Sequence, residues 1–169
     1  MRCLLLTKTF LPDQYAEALE SWAWIGLDRK VPVLSSLFGH VFLQSVEGYW
    51  YLDVIGGSLR KLWPDAAALQ AVLDSDDGQD DFLLGGLALA AERRGLVLTE
   101  SEVFDFNPPP VLGGPFDAAN LTAMDFVVAV NMAGQIHEQV RNLPAGTKIG
   151  RVTVDGASEP KKSRFRRRA

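Results

Sequence analysis

Side chains able to carry chemistry are few in this 169-residue sequence: two histidines, His40 and His137, and a single cysteine, Cys3. Zinc usually takes three or four His, Cys or carboxylate ligands, and this inventory does not supply them at any recognised spacing. The run HEQV at 137–140 opens like a helical zinc motif, but Arg141 stands where the second histidine is needed. Five aspartates, Asp74, Asp76, Asp77, Asp80 and Asp81, invite a calcium reading. A helix-loop-helix calcium loop counted from Asp74 needs Gly at its sixth position and Glu at its twelfth, and finds Gln79 and Gly85 instead. No metal and no cofactor is therefore expected. Cys3 has no evident base beside it, and neither a G-x-S-x-G elbow nor a phosphate-binding glycine loop is present. One polar group has the look of a site: Gln135, His137 and Gln139, with Glu138 among them. His137 reads either as a general base or as a helix histidine satisfied by hydrogen bonds.

Charge carries more information than catalytic residue types. The run KKSRFRRR at 161–168 holds six of the 17 Lys and Arg, whereas all 21 acidic residues precede it. Residues 1–160 thus set 11 basic against 21 acidic groups, a balance of −10. Such a body repels nucleic acid and attracts basic partners, among them the basic surfaces of nucleases. The aspartates at 76, 77, 80 and 81 are its densest acidic feature, expected in a loop, DSDDGQDD, that leads into a helix. The basic end reads as a solubilising, disordered tail or as a contact for nucleic acid or an acidic patch.

The elements that must position these groups follow from periodicity. Tyr15, Ala18, Leu19, Trp22 and Ile25 predict an amphipathic helix over roughly 13–25. Trp22 and Trp24, two apart, do not share its face, so one is expected exposed or capping a second layer. Residues 37–63, punctuated by Glu47-Gly48 and Gly56-Gly57, predict a three-strand antiparallel meander. Helices are expected in PDAAALQAVL and in DFLLGGLALAAERRG, short strands at 96–98 and 103–106, and a long helix within 117–144. TKIGRVTV, with its alternation, predicts a last strand. The fold class is α+β: an antiparallel meander sheet packed with three to four helices in a single domain over 1–154, followed by a tail at 155–169. The N-terminal run reads as a first strand or helix rather than a signal peptide, and no stretch reaches the length of a membrane span. With a single cysteine, these features make a cytoplasmic protein the expectation.

Between the strand at 103–106 and the long helix lies FNPPPVLGGPF. Pro108, Pro109 and Pro110 predict an extended, polyproline-like run, and Gly113 and Gly114 a sharp reversal or close backbone approach. The segment is expected to be a rigid bridge towards the GQIHEQ helix, with Asp117, Asn120 or Thr122 as that helix's cap. A ligand-contacting loop beside Gln135, His137 and Gln139 is the alternative.

Four blocks, FGHVFL, GYWYLDVIGGSL, FNPPPVLGGPFDAANL and GQIHEQVRNLPAGTKI, resemble in order those of the DUF1851 family. The likeness runs from about Trp22 to Val154, and PPVLGG followed by GQIH-x-Q is its most specific combination. That domain forms the C-terminal part of a type VI secretion immunity protein that protects against a DNase toxin. The resemblance implies a non-enzymatic binding protein whose partner is a cognate toxin, a nuclease, blocked at its active site. It offers no catalytic set to transfer. The immunity protein also carries an N-terminal GAD-like domain, for which no room is expected before Phe38. Two other readings stand beside this one: a small-ligand protein or enzyme centred on His137 and the Pro/Gly loop, and a nucleic-acid scaffold using the basic tail.

Overall fold

Alternation along the central strands sorts the apolar side chains onto two faces, and both faces are covered by helices. The computed structural model describes residues 5–156, so Cys3 and the basic run at 161–168 lie outside the described residues. Strands β1 (Thr7–Lys8), β2 (Val31–Ser36), β3 (Val41–Ser45), β4 (Gly48–Asp53) and β5 (Ser58–Trp63) form one antiparallel sheet in that order. The three-strand meander is β3–β4–β5, as the glycine punctuation predicts. Of the two added strands, β1 lies in the N-terminal run that reads as a first strand or helix and pairs through two residues only, whereas β2 was not legible because Pro32 argues against a strand interior.

Val41, Leu43 and Leu52 point to one side, where they pack with Trp22, Phe126 and Val130. On that side lie α1 (Pro12–Leu19), a 3-10 turn (Glu20–Ile25) and α5 (Phe126–Val140). Phe42, Tyr51 and Trp63 point to the other, against Leu69, Leu73 and Leu83 of α2 (Ala66–Leu73) and α3 (Asp76–Leu83). The third cluster joins α4 (Gly85–Arg93) to a two-stranded antiparallel hairpin, β6 (Glu102–Phe106) and β7 (Leu121–Asp125), through Ala88, Ala91, Phe104, Phe106 and Leu121. The described residues form a single α+β domain, with five α-helices where three to four were expected.

Local chemistry explains the boundaries. Pro12 opens α1, and Gln14 reaches back to accept from the Leu11 N–H at 2.9 Å. The 3-10 winding after Leu19 brings Trp22 and Trp24 into a stack, ring centres 5.7 Å apart. Trp22 is fully buried and donates to the Val130 carbonyl at 2.8 Å, whereas Trp24 is half-buried beneath the Arg141 guanidinium. Trp24 is thus the second-layer residue.

Four expectations are corrected. The segment 74–81 is not a loop: Ser75 caps α3 by accepting from the Gly78 N–H, and all four aspartates at 76, 77, 80 and 81 lie on the helix. The helix expected over 81–95 breaks at Leu84, whose φ of 53° ends α3 and starts α4. Residues 96–98 form no strand. Residues 121–125 are strand rather than helix, because they pair with β6 from Glu102↔Asp125 to Phe106↔Leu121. Asp125 therefore caps α5, accepting from Val127 and Val128, while Asp117 caps only a 3-10 turn (Ala118–Asn120).

Candidate functional site

The Pro/Gly segment reverses β6 into β7 and so does not carry the chain to α5 directly. Asn107–Pro108 is cis, Pro109 is extended, and Pro110–Leu112 winds into a 3-10 turn closed by Gly113 at φ 91°. Gly114 lies so close to the Pro108 carbonyl that a methyl group there would sit 1.9 Å from its oxygen. Asn120 locks the reversal by donating its amide to the carbonyls of Pro108 and Pro115, at 2.8 and 3.1 Å. Rigidity was legible from the prolines; the role of Asn120 was not, since the contact spans 12 residues.

Helical spacing divides the polar group on α5. His137 turns inward and is 6% exposed, with Nε2 at 3.1 Å from the carbonyls of both Val54 and Ile55. A nitrogen facing two carbonyls carries the proton, so His137 is a pin between α5 and the turn joining β4 to β5. Gly57 packs against the other ring nitrogen, where a methyl group would meet Nδ1 at 2.3 Å. Burial holds the imidazole pKa down, against the raising effect of the two carbonyls and Asp53. The Pro/Gly loop and His137 do meet: Pro109, Pro110 and Val111 line one cavity with His137 and Asp105. That cavity is about 40 Å³, room for a water or two and far below the volume of ligand sites. Asp105 in its wall has its carboxyl pushed up to about 6 by burial, partly offset by the Phe106 N–H.

Gln135 and Gln139, four apart, share the other side of α5 and hold the chain's own C-terminal segment. Gln139 donates to the Thr153 carbonyl at 2.7 Å and accepts from its N–H at 3.3 Å. Gln135 does the same for Asp155, at 3.2 and 2.8 Å. The expected last strand is therefore an extended strap paired with side-chain amides, not with a sheet, and it runs past the expected boundary at 154. The alternation of RVTV signals its extended form, but its partner 14 to 20 residues earlier is not in the pattern.

Asp76, Asp77, Asp80 and Asp81 are exposed on α3, the pairs 76/80 and 77/81 each one turn apart. The dipole favours the first two at the helix start, and Asp80 accepts from the Gly86 N–H at 3.1 Å. None of the four makes an ion pair among the described residues, where the one close pair is His40 with Asp53 at 3.5 Å. Among the described residues no group of three His, Cys, Asp or Glu is placed to hold a metal ion. Nor is any helix long and apolar enough to cross a membrane.

Among the described residues this is an α+β fold in which both histidines are buried and hydrogen-bonded to backbone, and the aspartates of α3 face outward without ion-pair partners. Residues 69–137 match the family model described as T6SS immunity protein Tdi1, C-terminal. The matched segment runs from α2 to His137, taking in the four exposed aspartates, the Pro/Gly loop and Gln135, and bears out the resemblance in the block FNPPPVLGGPFDAANL and in GQIH, the start of the last one. Among curated proteins none matches the chain.

Proposed function

We propose that this chain is an immunity protein that neutralises a cognate nuclease toxin by docking on it and covering its active site. The observation that carries the reading is the exposed acidic face of α3 within the segment matching the immunity family. Four carboxylates without basic partners among the described residues repel one another at one-turn spacing, a cost that a stabilising role for the helix does not explain. A nuclease holds its nucleic acid in a basic groove, and a rigid helix bearing Asp76, Asp77, Asp80 and Asp81 has the charge to occupy that groove. Gln135 and Gln139 offer a second, uncharged contact. His137 contributes by fixing α5, the element that bears them. The tight packing around His137 favours a binding protein over the enzyme reading, because a substrate has no room beside the imidazole.

The experiment is a DNA-cleavage assay with the purified toxin and an equimolar amount of this chain. Cleavage stops if the reading holds. Cleavage at an undiminished rate, with or without a complex, contradicts it.

A further inference from the structure

Gln135 and Gln139 grip the strap in a way that specifies what else they can grip. We infer that this pair is an exchangeable receptor for an extended backbone: residues 153–155 fill it in the free protein, and a basic, extended segment of the toxin replaces them on binding. The inference rests on the immunity reading and gives that partner a shape.

Three features support exchange. First, the spacing fits any extended chain: four residues of helix rise about 6 Å, and two residues of strand about 6.6 Å. Second, the strap is held through its backbone. Each glutamine pairs with one N–H and one carbonyl, and the side chains of Thr153 and Asp155 remain exposed. Only Val152 and Val154 are half-buried, so little apolar area is lost when the strap leaves. Third, α5 itself presets the clamp. Gln135 also donates to the Asn131 side chain at 2.7 Å, and Gln139 to the Gln135 carbonyl at 3.1 Å. Those bonds orient both amides whether or not the strap is present, which lowers the cost of receiving a new chain.

The charge of the incoming segment follows from the groove that continues the clamp. Glu17, Glu20, Ser21 and Asn131 line an open concavity of about 510 Å³ beside the clamp, and the end of the strap, Asp155 and Gly156, bounds its other side. Once the strap has left, its charged lining is Glu17 and Glu20, so the segment that extends from the clamp into it carries Lys or Arg.

The test separates the clamp from its occupant. Thr153→Pro with Asp155→Pro removes both strap N–H donors and leaves the clamp intact; Gln135→Leu with Gln139→Leu removes the clamp. The probe is a fluorescein-labelled heptapeptide of residues 150–156, read by anisotropy against the full chain. Tightening of at least ~10-fold in the proline variant, abolished by adding the leucines, is expected. Equal binding with and without the glutamines overturns the receptor. Thermal melts keep the comparison to folded variants. With the toxin, the Thr153 and Asp155 amides should exchange with solvent faster in the complex than in the free chain; amides still protected in the complex overturn the exchange. Absence of any complex is a failure of the immunity reading, and the peptide measurement still decides the clamp.

Discussion

At Asp105 burial outweighs hydrogen bonding, and the consequence is a pH dependence of known sign. With its carboxyl raised to about 6, the folded chain binds more protons than the unfolded chain between about pH 4 and 6. Ionisation of Asp105 therefore costs stability as pH rises through that window. The histidines act the other way. His40, fully buried and accepting from the Val54 N–H at 3.2 Å, is held down to about 4 by burial despite Asp53, and His137 is also lowered. Their contribution is present above about pH 6.5 and is lost as pH falls. Asp105→Asn should stabilise the chain at pH 7 by about 1–2 kcal/mol and leave a profile that only declines below pH 6.5. Urea melts from pH 4 to 8 check this; an unchanged profile would show Asp105 to be solvated. At this scale the sequence exposes the polar group on α5 but not what each part of it holds. Spacing alone puts Gln135 and Gln139 on one face and His137 across from them. The carbonyls that hold His137 lie more than 80 residues earlier, where no local pattern points to them.

Elements with local causes were legible, and those made by distant pairing were not. The meander shows in its glycine turns, and α1, α2 and α5 show in their apolar periods. The strand β7 does not, since LTAMD suits a helix and becomes a strand by pairing with β6 some 20 residues away. The hairpin depends on two adjacent glycines for different reasons. Gly113 has a positive φ and open space around it, so Gly113→Ala should cost about 1 kcal/mol, the conformational penalty alone. Gly114 has the Pro108 carbonyl where a methyl group would go, so Gly114→Ala should cost about 2–3 kcal/mol. Thermal unfolding of the two variants separates these causes. Equal losses would mean that the loop yields, and that its rigidity is not built by Asn120 and the close approach.

Over the whole molecule, a sheet covered by helices on both faces fixes α3 on one side and the α5 clamp on the other. Segregated charge was the clearest signal in the sequence, because it survives any arrangement of elements. What composition could not give was presentation: a capped helix holds Asp76, Asp77, Asp80 and Asp81 in rigid register, where a loop would not. The central claim is that this acidic face draws the chain onto a basic toxin, and the association rate tests it most directly. Measured by stopped flow from low to moderate salt, the variant with all four aspartates changed to Asn should associate at least ~10-fold more slowly at low ionic strength. Its rate should also depend less steeply on salt than that of the unaltered chain. An unchanged rate with an unchanged salt dependence would contradict the account and remove α3 from the interface.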